Sequence, residues 1–118
     1  SFLYHNATIN KTKFSVNDSI RIKIPVSNTG KFAGEEVVQL YITDVKSNLP
    51  RPKKELKAFK KIFLKVGETK NVDFVLGKDA LSYYDDRQHK WTVDSGEFIA
   101  KIGSASDDIR KEIKFRVY

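Results

Sequence analysis

The chain has 118 residues and no cysteine, which fits one domain of ordinary size and excludes disulfides, thiolate metal sites and cysteine nucleophiles. Its 40% hydrophobic content fills a core without help from a cofactor, and no apolar run is long enough for a transmembrane helix. A net charge of +7 raises the prior for an anionic partner, so the placement of the cations matters more than their number.

The chain opens on Ser1 with no signal peptide, which reads as a piece of a longer protein. Ile20 to Ser27 alternates strictly. Ile20, Ile22, Ile24 and Val26 face one way, and Arg21, Lys23, Pro25 and Ser27 the other. Pro25 has no N–H, so this strand needs a free edge or a bulge there. Asn28-Thr29-Gly30 reads as a turn. A second strand spans Glu36 to Asp44, with Val38, Leu40 and Ile42 inside and Val37, Gln39, Tyr41 and Thr43 outside. Two prolines make 47–52 a loop.

Residues 55–66 form a third strand region. Leu56, Ala58, Ile62, Leu64 and Val66 hold one phase, and Lys57, Lys61 and Lys65 hold the other. Phe59 and Lys60 break that phase, which calls for a bulge or a strand changing sheets. Val66-Gly67-Glu68 reads as a hairpin turn before the alternation Val72, Phe74, Leu76. A single helical turn is expected at 78–81, then the short apolar stretch Tyr83-Tyr84 and a short strand carrying Trp91 and Val93. Longer strands carry Phe98, Ala100 and Ile102, and then Ile113, Phe115 and Val117. Seven or eight short strands with frequent turns and almost no helix define an all-β fold, an antiparallel β-sandwich of immunoglobulin or fibronectin type III-like architecture.

Little chemistry is written on this frame. Arg21, Lys23, Lys57, Lys61, Lys65, Lys114 and Arg116 hold outward phases, where lysine keeps a face solvated and discourages edge pairing. An anion-binding surface is the alternative, but base stacking needs aromatics among the cations, and Phe59, Phe63 and Tyr118 are few. His5 and His89 lack metal-ligand spacing. Asp85-Asp86 and Asp107-Asp108 read as solvated turn residues, not as facing carboxylates or a calcium loop. Asn6, Asn10 and Asn17 each open a glycosylation sequon in form. Trp91 is expected in the core, as the one tryptophan of such a sandwich; the alternative is a sugar-stacking platform of Tyr83, Tyr84 and Trp91.

The motifs in order resemble a known family. Asn28-Thr29-Gly30, Gly34 to Tyr41 and Asp44 resemble its NTG…GxEVVQLYxxD signature. Arg51-Pro52, Lys54-Glu55-Leu56, Phe59-Lys60-Lys61, Leu64 and Gly67-Glu68 resemble RPxKELKGFxKxxLxxGE. Leu81 to Asp85, Trp91, Gly96-Glu97-Phe98 and Ile102 to Arg110 follow in the same order. The chain resembles the C-terminal fibronectin type III-like domain of glycoside hydrolase family 3, the β-glucosidases and β-xylosidases. Ala58 departs from it, standing where the family usually has glycine, and implies ordinary backbone angles there.

The resemblance implies a non-catalytic accessory domain, with the nucleophile and acid/base residues on preceding domains that this chain lacks. It implies that residues 1–5 are a residual linker from those domains and 6–118 the domain itself. Its partners are then the catalytic domains of the same parent, with no nucleic acid and no membrane, no cofactor, weak polysaccharide contact at most, and a periplasmic or secreted location. The matching segment points to Tyr41, Arg51, Pro52, Lys54 and Glu55 as an interdomain interface.

Overall fold

The computed structural model describes residues 1–45, 54–93 and 95–118, and the backbone alone of Tyr83. Its strands are β1 (Phe2–Tyr4), β2 (Thr8–Ile9), β3 (Lys13–Phe14), β4 (Ile20–Asn28), β5 (Gly34–Asp44), β6 (Glu55–Leu64), β7 (Thr69–Leu76), β8 (Tyr83–Asp85), β9 (Lys90–Thr92), β10 (Gly96–Ala105) and β11 (Asp108–Val117). A 3-10 turn at Lys78–Ala80 matches the expected helical turn.

The alternation in β4 makes it the spine of the first sheet. Its isoleucines and Val26 are buried, while Arg21 and Lys23 are exposed. β7 pairs with it antiparallel from Ile20↔Leu76 to Ser27↔Thr69. β1 and β2 share the other edge as one interrupted strand. Pro25 falls in the interruption, where only its carbonyl is needed and accepts the His5 N–H at 2.9 Å. Residues 1–5 are therefore not a linker outside the fold, because β1 pairs with β4 and Tyr4 is buried in the core.

The second sheet runs β3-β11-β10-β5-β6, antiparallel except for the short parallel pairing of β3 with β11. Its inner row of Val38, Leu40, Ile42, Phe98, Ala100 and Ile102 meets the β4 and β7 rows in one core. Phe115 joins the strands at one side of that core. It stacks on Phe98 at 5.6 Å and meets the edge of Phe14 at 5.8 Å. β8 and β9 pair only with each other, as a hairpin outside both sheets.

Four local expectations are corrected. Val66-Gly67-Glu68 is not a hairpin within one sheet, since β6 and β7 belong to different sheets and the turn crosses between them. The bulge in β6 falls at Lys57, where the register steps from Leu40↔Ala58 to Tyr41↔Leu56. That extra residue turns Leu56 to the outer face and draws the Lys57 side chain in to 15% exposure, while Val66 lies exposed in the crossing turn. Asp85 is buried, not solvated, because its carboxylate accepts the Arg87 N–H at 2.9 Å and shapes the hairpin turn. Trp91 is outside the core altogether, 70% exposed on the hairpin. Ala58 keeps ordinary backbone angles, as expected.

Candidate interaction surface

Two of the residues expected at an interface, Tyr41 and Lys54, meet at the outer face of β5 and β6. Tyr41 lies nearly buried on it, and its hydroxyl donates to Gln39 Oε1. Lys54 Nζ sits 5.4 Å from the Tyr41 ring centroid and donates to the Ser106 carbonyl. These contacts fix the head of β6 against the sheet. Glu55 falls in the other phase, opposite Ile42, with Lys57 Nζ 3.4 Å from its carboxylate. Arg51 and Pro52 lie outside the described residues.

Beyond the bulge Ala58, Ile62 and Leu64 keep one phase and Lys61 the other, as expected, but Phe59 and Lys60 do not break that alternation. Phe59 is opposite Gln39 and Phe63 opposite Glu35, so both share the outer face with Tyr41 and Leu56. Leu56, Phe59 and Phe63 are 48%, 65% and 49% exposed. Lys61 stands between the two phenylalanines, but Glu35 neutralises it at 3.4 Å. The row is thus an apolar stripe, not a ladder of cations and aromatics for stacking bases. Lys60, opposite buried Val38, turns inward at the open edge and places its Nζ 5.9 Å from the Phe74 ring. An inward-pointing charge blunts an edge strand against pairing with another chain.

The other sequence candidates separate. Tyr84 and Trp91 do meet, with ring centroids 5.7 Å apart and planes at 76°. Of Tyr83 only the backbone is described, opposite Thr92. Asp79, Ser82 and Trp91 line a shallow hollow of about 240 Å³. A larger groove of about 490 Å³ crosses the first sheet beside Arg21, Lys23 and Asp73. Lys23 and Asp73 are cross-strand partners there, so the groove offers no uniform positive field. His5 bonds to Ser27 at 2.7 Å and serves the β1–β4 seam. Among the described residues, no three of His, Asp and Glu are grouped to hold a metal ion.

The fold and this apolar outer face define a class. Residues 36–106 match the fibronectin type III-like domain, and the chain belongs to that family. It is 47% identical over 116 residues to thermostable β-glucosidase B of Acetivibrio thermocellus, covering 98% of this chain and 15% of that protein. Among solved structures it superposes on a β-glucosidase of Erythrobacter marinus with a TM-score of 0.93 at 34% identity, covering 100% of this chain and 15% of the other. A β-glucosidase of Kluyveromyces marxianus gives 0.91 at 42% identity, again over 100% of this chain and 14% of the other. The chain thus spans about 15% of the length of the curated relatives it matches.

Proposed function

We propose that this domain is a non-catalytic accessory part of a family 3 glycoside hydrolase of β-glucosidase type, packed on the catalytic domains of its own chain and stabilising them. One observation carries the reading: an apolar row, Leu56, Phe59 and Phe63, lies open on the outer face of an edge strand in a domain that matches a small part of β-glucosidases. Covering a phenylalanine side chain contributes about 1.5–3 kcal/mol, so two such rings are enough to matter to a seated domain. Tyr41 and Lys54 order the head of the row, and Glu55, Arg51 and Pro52 belong to the same proposal by their place in the chain.

This reading assigns bond cleavage to the parent's other domains and gives the parent a periplasmic or secreted location. The test is removal of residues 1–118 from the parent β-glucosidase. The expected result is a lower melting temperature and lower soluble yield of the remaining chain. An unchanged melting temperature and yield would overturn the reading.

A further inference from the structure

We propose that the β8–β9 hairpin is a second seat for the parent's catalytic body, with Trp91 as its anchor; this rests on the reading of the domain as part of a β-glucosidase chain. The sandwich closes its core without Trp91, yet the chain leaves its one tryptophan 70% exposed. Burial of such a ring in a partner's pocket is the type of contact that dominates interface energies. Tyr84 stands edge-on against Trp91 and limits how the indole can turn. The turn beneath them is held by buried Asp85, so the pair sits on a fixed support.

The hairpin's place in the fold fits this partner. Three residues separate β9 from β10, which starts beside the end of β5, where the Val45 N–H donates to the Glu97 carbonyl at 3.1 Å. The hairpin therefore lies at the end of the sandwich from which the β5–β6 connection leaves. Val45, 45% exposed, adds apolar surface there. Asp79, which lines the hollow beside Trp91, and Lys90, the chain neighbour of Trp91, are exposed and supply charges of both signs to the rim of a protein contact. The relatives carry most of their length outside the matched part, which supplies a surface to cover this end.

A sugar is the weaker occupant. Rings at 76° form no common platform for stacked pyranoses. In the adjoining hollow the Ser82 hydroxyl already donates to the Asp79 carbonyl at 3.0 Å.

The experiment is hydroxyl-radical footprinting of the intact parent, with and without a β-linked gluco-oligosaccharide, beside melting of the parent carrying Trp91→Ala. Trp91 is expected to be protected from oxidation without sugar, and W91A to lower the melting temperature by about 1–2 °C. Because Trp91 fills no part of this domain's core, Phe98 and Phe115 should stay protected in the variant. Free oxidation of Trp91 with and without sugar would overturn the proposal, as would protection that appears only on adding the oligosaccharide. If Trp91 oxidises freely while deletion of the whole domain still lowers the parent's melting temperature, the anchor fails and the accessory reading stands. If the deletion is also without effect, both fail.

Discussion

A methyl group on Gly103 would lie 2.0 Å from the Asp108 carbonyl oxygen and 2.9 Å from the Ile109 Cα. The β10–β11 register shifts on both sides of this residue, so the hairpin closes only because no side chain stands there. Gly103→Ala is expected to cost about 3 kcal/mol in urea unfolding, the scale of overpacking into rigid backbone. A loss under about 0.5 kcal/mol would show that the hairpin re-registers freely. Asn28 has a comparable role at the turn that follows β4. Its side-chain amide donates to the carbonyls of Phe32 and Leu64, and its side-chain oxygen accepts the Gly30 N–H, so a buried polar residue is satisfied three times. The sequence marks 28–30 as a turn because of residue type. It does not reveal that the turn also holds the end of β6, since that partner is distant along the chain. The exposure of Trp91 is hidden from the sequence for a similar reason: alternation assigns a face of a strand, but not whether a neighbour covers that face.

Between elements, one cluster ties β1 to the second sheet. Arg110 donates to the Phe2 carbonyl at 2.7 Å and lies 4.8 Å from the Tyr4 ring centroid. The Tyr4 hydroxyl donates to Glu36 at 3.0 Å, and burial, followed by that carboxylate, pushes the phenol above its ordinary range. Asp108 holds Arg110 at 2.9 Å and accepts a hydrogen bond from Ser104. The Arg110 hydrogen bond first, and Ser104 next, keep the Asp108 carboxyl below the usual aspartate value. A carboxyl depressed on folding adds stability above its unfolded value, about 3.9, and loses it as pH falls through its lower folded value. Stability should therefore drop below about pH 4. Asp108→Asn should make that drop shallower when denaturation midpoints at neutral and acid pH are compared. An identical acid drop in the variant would contradict this origin. None of the cluster is legible in sequence order, because three residues of β1 are too few to show a period and they resembled a linker. The long strands β4 and β7 were legible, since their apolar rows keep a period of two to the end. In β6 the phases of Ala58, Lys61, Ile62 and Leu64 were legible, while those of Leu56 and Lys57 were not, because a bulge at Lys57 reverses the phase there without a glycine to mark it.

At the scale of the molecule, a closed core coexists with open apolar side chains on the outer face of β6 and on the β8–β9 hairpin. The core accounts for folding, and the surfaces point outward to a neighbour. The family was legible from several motifs in register. The outer row of β6 was not, because its rings could be assigned a face only after the bulge was located. The central claim is that this row is covered in the parent, and the most direct measurement is the oxidation rate of Phe59 and Phe63 by hydroxyl radicals in the intact parent, set against the same chain unfolded in urea. The account expects both rings, open in the isolated domain, to be strongly protected in the folded parent. Oxidation of both at rates close to those of the unfolded chain would contradict it.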